Sequence, residues 1–126
     1  LLEVWDLGCG SGRDVCFLAE EIKSYTHQKE NSSKLEQPSN SLKMPFKFIG
    51  MDYHKGSAKR CKPLWKYRGV NEITEAQLIN LNKLENVQSL LSDENGTSKS
   101  RLIMYAIRFL NRKLINYIIS CSTIDI

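Results

Sequence analysis

The 126-residue sequence predicts one α/β domain built on a doubly wound parallel sheet, and three observations lead there. Apolar stretches with strand character alternate with segments whose apolar residues recur at helical spacing. The first such stretch ends in a turn with glycine at every second position, which runs straight into a helix. The length suffices for one core and not two, and a composition of 41% hydrophobic and 25% charged residues is ordinary for a globular chain.

Leu1 to Leu7 is apolar and bounded by Gly8, as expected of a strand buried on both faces. From Ser11 a helix follows, with Val15, Leu18, Ala19 and Ile22 on its apolar stripe, Ser11 and Asp14 suited to its N-terminus, and its end near Lys23. Residues 24–45 are polar, contain Pro38, and read as a disordered insertion between the first helix and the second strand. Phe46, Phe48, Ile49 and Met51 make the second strand, which stops at Asp52. A basic helix comes next, with Ala58, Cys61, Leu64 and Trp65 inward; Pro63 is expected to kink or shorten it, and Gly69 to terminate it. Ala76 to Asn82 is read as the third strand and Leu84 to Leu91 as a short helix. After a polar loop from Ser92 to Ser100, Leu102 to Ile107 is the fourth strand, and Asn111 to Ser120 a helix burying Leu114, Ile115, Ile118 and Ile119. Strictly alternating strands and helices imply right-handed crossovers and a sheet covered by helices.

Whole classes of protein are excluded by the same inspection. No apolar run reaches the roughly 18 residues a membrane span needs. Cys9, Cys16, Cys61 and Cys121 include no C-x-x-C pair, so neither a zinc site nor a disulfide framework is expected; reduced thiols in an intracellular, cytoplasmic setting are. The opening Leu1-Leu2-Glu3-Val4-Trp5 has no initiating Met, basic leader or cleavage site and reads as sequence from inside a larger protein. The net charge of +4 is uneven: Lys55, Lys59, Arg60, Lys62, Lys66 and Arg68 fall between Tyr53 and Val70 with no acid among them. This is either a solvated helix face or a surface attracting an anionic substrate or nucleic acid.

Chemistry concentrates in Val4-Trp5-Asp6-Leu7-Gly8-Cys9-Gly10-Ser11-Gly12. Glycines let the backbone approach a ligand and take positive φ, and the next helix offers unpaired N–H groups. A dinucleotide fingerprint, G-x-G-x-x-G, would need a third glycine where Arg13 stands, which opposes a nucleotide-dependent oxidoreductase. The spacing is instead G-x-G-x-G with an acid two residues ahead.

On Asp6, Gly8, Gly10 and Gly12 the sequence resembles the class I S-adenosylmethionine-dependent methyltransferases. The resemblance implies a Rossmann-like sheet of which about four of the usual seven strands are present. It also implies that the glycine turn, with Cys9, lies beneath the methionine and ribose of S-adenosyl-L-methionine, and that Asp6 orients its amino group. Asp52, followed by Tyr53, then stands where the ribose hydroxyls are gripped; its distance from the glycines is twice the usual roughly 20 residues, and removing the insertion restores it. The segments Gly8 to Asp14 and Ile107 to Leu114 look similar to a branch that includes tellurite-resistance-type proteins. That branch implies an adenine contact from Lys83-Leu84-Glu85, with the Leu84 backbone as donor and Asn82 or Glu85 as acceptor, although lysine replaces the branch's acid. It also implies an acceptor site near Arg108 and Asn111, where Asn111 replaces a frequent His. No general base is evident: His27 lies in the insertion and His54 reads as a helix-start residue.

The expected function is therefore methyl transfer to an unknown acceptor, this chain being a partial methyltransferase domain, inactive alone. The alternative is a non-catalytic scaffold whose basic helix binds an anionic partner such as RNA. An unfinished sheet predicts an exposed apolar edge and marginal stability. Cooperative thermal unfolding of a stable monomer would contradict that expectation.

Overall fold

A computed structural model describes residues 1–32, 45–91, 101–107, 109 and 111–120. The chain order is β1 (Leu2–Leu7), α1 (Arg13–Ser32), β2 (Phe46–Asp52), α2 (Lys55–Tyr67), β3 (Thr74–Leu78), α3 (Leu84–Leu91), β4 (Arg101–Tyr105) and α4 (Arg112–Ser120). The four strands form one all-parallel sheet in the order β3-β2-β1-β4. The fold is thus α/β, as the alternation of strand and helix predicts.

Strand alternation divides the core into two layers. Val4, Phe48 and Ala76 face α1 and α2, where Val15, Cys16, Ala19, Cys61 and Trp65 cover them. Trp5, Leu7, Ile49 and Met51 face the opposite side and meet Val87 of α3 and Leu114 of α4. A parallel sheet needs both faces covered, which is why β1 and β2 carry apolar residues on both faces, with Glu3, Asp6, Lys47 and Asp52 as their charged exceptions. None of the helices is long and apolar enough to cross a membrane among the described residues.

Several boundaries differ from the sequence expectation. Helix α1 runs to Ser32, nine residues beyond Lys23, so the first part of the expected insertion is helical; its exposed turns carry a Lys29–Tyr25 cation–π contact and bring His27 Nδ1 to 3.7 Å from Glu30. The insertion's residues 33–44 lie outside the described residues, and the Pro45 carbonyl accepts from Leu2 N, starting the β1–β2 pairing. Ser11 does not cap α1; Gly12 immediately precedes Arg13, and its carbonyl accepts from Cys16 N.

Pro63 neither ends nor shortens α2. It lies on the exposed face, as does Lys59, whose carbonyl would have been its partner, so water can satisfy that carbonyl while Cys61 and Trp65 anchor the inner face. The helix ends as expected at Gly69, φ 69°, where Val70 N bonds Trp65 O and Gly69 N bonds Lys66 O, a Schellman arrangement with Val70 buried behind it.

Strand β3 begins at Thr74, two residues before the expected start, and residues 79–82 turn instead. Asn80 explains the early end: its side chain accepts from Asn82 N and its carbonyl from Lys83 N, diverting the chain into α3. Strand β4 ends at Tyr105, two residues before Ile107, and α4 buries Leu114 alone. Ile115 and Ile119 are exposed, as are Ile103 and Ile107, so the β4 side carries the largest group of uncovered aliphatic side chains among the described residues.

Trp65 joins α1, α2 and the sheet, and is 2% exposed. Trp65→Ala is expected to destabilise the fold by about 3–5 kcal/mol, read as a lowered urea midpoint with unchanged slope. Lys66→Ala, one residue away on the solvent face, should change it by less than about 0.5 kcal/mol. Equal effects would contradict the packing described.

Candidate functional site

The sheet order reverses between β1 and β4, and the glycine turn leaves β1 at that point, on the carboxyl side of the strands where open α/β sheets hold their ligands. Gly8, Gly10 and Gly12 all take positive φ, at 83°, 54° and 73°. Three such residues in five make a bend that side chains would resist.

The glycines are required for different reasons. A Cβ on Gly8 would meet Phe109 at 2.7 Å, and one on Gly12 would meet Cys61 Sγ at 2.7 Å and the Trp65 ring at 2.8 Å. Both are closed by the protein's own packing. Over Gly10 a Cβ would meet nothing within 4 Å, so its bare backbone faces open space.

The turn is clamped from two sides. The Met51 carbonyl at the end of β2 accepts from Gly8 N at 2.8 Å and from Cys9 N at 2.9 Å. On the helix side, Trp65 Nε1 donates to Gly12 O at 2.9 Å, and Cys61 Sγ lies 3.5 Å from Gly10 O. The Cys9 side chain turns inward, where its sulfur occupies the space left by Gly50, so only its backbone belongs to the turn's outer surface. Hydrogen bonding to Cys61, burial, and the charges of Asp6 and Asp52 push its thiol pKa far up.

Asp6 and Asp52 flank this bend in different states. Asp52 Oδ2 accepts from Gly10 N at 2.9 Å, and Oδ1 from His54 N at 2.8 Å, so the carboxylate ties β2, the glycine turn and the start of α2 together. Each oxygen keeps a lone pair for a further donor. Asp6 is 2% exposed, and its Oδ2 has no hydrogen-bond partner among the described residues. Tyr105, level with it on β4, also has a buried hydroxyl without a hydrogen-bond partner among the described residues, yet it is close enough to pull the Asp6 pKa down against the effect of burial. Burial, reinforced by the charges of Asp14 and Asp52, raises the Asp6 pKa to about 6. A buried carboxylate with no partner is costly and marks a candidate functional site.

Beyond Asp52, Tyr53, His54, Lys55, Leu78, Ile79 and Asn80 line an open cavity of about 460 Å³. Tyr53 is 67% exposed there, and His54 is the residue before α2, with no capping bond from its side chain, in keeping with a helix-start role. Leu84 is the first residue of α3 and does not line this cavity; Asn82 and Glu85 are exposed. Asn111 caps α4, its Oδ1 accepting from Leu114 N at 3.0 Å while its Nδ2 donates to Asn82 Oδ1 at 2.9 Å. Arg108 lies outside the described residues.

Sequence reasoning missed Tyr105, Gly50, Phe109, and the Cys61–Trp65 pair beneath Gly12. Their parts depend on register and on contacts between distant segments. Asp6 stands between Gly50 and Tyr105 on its two neighbouring strands, which no local pattern encodes.

Because the folded Asp6 holds a proton up to about pH 6 and the unfolded carboxyl only to about 3.8, the folded state binds more protons between those values. Stability therefore falls as pH rises from about 4 to 6 and is flat above. Asp6→Asn should raise unfolding stability at pH 7.5 by about 2–3 kcal/mol and leave it nearly unchanged at pH 4; an equal effect at both would contradict an ionised, unpartnered carboxylate. Gly12→Ala should destabilise by about 2–4 kcal/mol and Gly10→Ala by about 1 kcal/mol, measured by denaturant unfolding, since only the first adds collision to backbone strain. No protein-family model matches the chain and no curated protein matches it, so the chemistry of this turn carries the functional reading.

Proposed function

We propose that the chain binds S-adenosylmethionine across the glycine turn and is the cofactor-binding part of a Rossmann-like, S-adenosylmethionine-dependent methyltransferase. The observation that carries this reading is Gly10: a positive-φ glycine facing open space, set between a buried carboxylate whose Oδ2 has no hydrogen-bond partner among the described residues and a second carboxylate that holds the turn.

The residues present suit such a cofactor. Asp6 is a buried anion whose cost is relieved by a cation, and the methionine ammonium is one. Asp52 keeps acceptor capacity on both oxygens for a ribose diol. The cavity beside Tyr53 and Ile79 offers an aromatic and an aliphatic wall of the kind a purine ring occupies. Bound, the cofactor supplies an activated methyl group, and the protein's part is binding, alignment and exclusion of water. Gly10 permits close backbone approach; Asp6 and Asp52 fix orientation at either end of the turn. No residue is needed as a base when the acceptor is itself nucleophilic. Asn111, already engaged as a helix cap, and His54, at the start of α2, are left without that role. Cys9, Cys16 and Cys61 are free thiols, which suits an intracellular setting.

A dinucleotide suits the turn less well, because Arg13 opens α1 where a third glycine would let a pyrophosphate approach. Calorimetric titration should show S-adenosylmethionine and S-adenosylhomocysteine binding and NAD not. Affinity for the first two should rise from pH 5 to 7 and level off, following ionisation of Asp6 near pH 6, and Asp6→Asn should weaken it by at least about tenfold. Equal binding of NAD, or affinity indifferent to Asp6→Asn, would overturn the proposal.

A further inference from the structure

Helix α2 carries its charge in an arrangement that the interior of the protein does not explain. Lys55, Lys59, Lys62 and Lys66 are separated by four, three and four residues, so they form one stripe along the helix, roughly 16 Å long at 1.5 Å per residue. All four are exposed, as is Arg60 beside them, and none of the five has an ion-pair partner among the described residues. Like charges at this spacing repel one another and weaken a helix. Lys55 also opens α2, where the helix dipole favours an acid, and the first turn contains none. Arg68, by contrast, is neutralised by α1: its Nε and Nη2 both donate to the Glu20 carboxylate. The fold pairs the cation nearest its neighbour and leaves the outer stripe unpaired.

We infer that the outer face of α2 binds single-stranded nucleic acid. A regular row of phosphates complements a regular row of lysines, and releasing its counterions drives binding. Tyr53 and Tyr67 stand at the two ends of the stripe, 67% and 85% exposed, and rings left out of the core are available for stacking on bases. An anionic membrane fits poorly, because Cys61 and Trp65 are buried in the core and Leu64 packs against it, so α2 has no apolar face to insert. An acidic peptide would engage the lysines but has no bases for the tyrosines. Lys55 adjoins the cavity beyond Asp52, so a strand lying along α2 leads toward the glycine turn. The inference rests on the lysine row and Tyr67 of α2 and does not depend on the cofactor proposed for the turn; Tyr53 is shared with the cavity of that reading.

Fluorescence anisotropy with short labelled single-stranded RNA and DNA tests it. With four to five phosphates neutralised at about 0.7 each, the logarithm of affinity should fall against the logarithm of salt concentration with a slope of about −3. A triple variant, Lys59→Gln with Lys62→Gln and Lys66→Gln, should bind at least ~10-fold more weakly with a slope near about −1. Its circular dichroism should match the wild type and its thermal midpoint should equal or slightly exceed it, since all three side chains are exposed and their mutual repulsion is removed. Tyr67→Ala should weaken binding by about fivefold or more without changing the slope. Absence of salt-dependent binding, or undiminished binding by the triple variant, would overturn the inference. So would tighter binding to polyglutamate or to phosphatidylserine vesicles than to the oligonucleotides, or affinity unaltered by Tyr67→Ala.

Discussion

The structure turns on a five-residue main-chain bend held open on one side only. Gly8 and Gly12 are pressed against Phe109 and against Cys61 and Trp65, while Gly10 between them is left bare. The bend keeps its shape because β2 and α2 grip it: the Met51 carbonyl and the Asp52 carboxylate accept from its N–H groups, and the Trp65 indole donates to Gly12 O. That grip requires β1 and β2 to be neighbours in register, and α2 to lie over the same sheet face as α1. Fold and site are therefore one construction: loosening Trp65 would release the bend as well as the core.

Against that scaffold, Asp6 is an inconsistency of the kind expected where function outweighs stability. It lies in a strand whose other inward positions are apolar, with one oxygen unsatisfied and its proton held to near neutrality. Tyr105 lowers the Asp6 pKa but does not offset the effect of burial, and Asp14 and Asp52 add charge of the wrong sign. A purely structural site would place an amide, a hydroxyl or an aliphatic residue here. A carboxylate becomes advantageous when a cation from outside completes it.

Much of this was visible in the linear sequence because it is local. Alternation of strand and helix, the glycine spacing, and the acids at the ends of the first two strands are properties of neighbouring residues, and the elements appear where those patterns place them. The departures come from tertiary context. Pro63 is tolerated because its side of α2 faces water, and β3 ends early because Asn80 turns the chain sooner than hydrophobicity suggests. α1 outlasts its apolar stripe and makes contacts along its own surface. Asn111 illustrates the limit at the site itself: its position after the fourth strand suggested chemistry, and the structure engages both ends of its amide in holding α4 to the turn before α3. Asp52, expected from the sequence to face a ribose, braces the glycine turn, a duty that only the folded chain reveals.

The central claim is that the Asp6 carboxylate is kept unpaired for a cationic ligand. Carbon-13 NMR titration of its side-chain carboxyl, with and without S-adenosylmethionine, addresses this most directly. The account predicts a pKa of about 6 in the free protein that drops below the ordinary aspartate value once the ligand ammonium is bound. An ordinary pKa in the free protein, or a raised one that saturating ligand leaves unmoved, would contradict it.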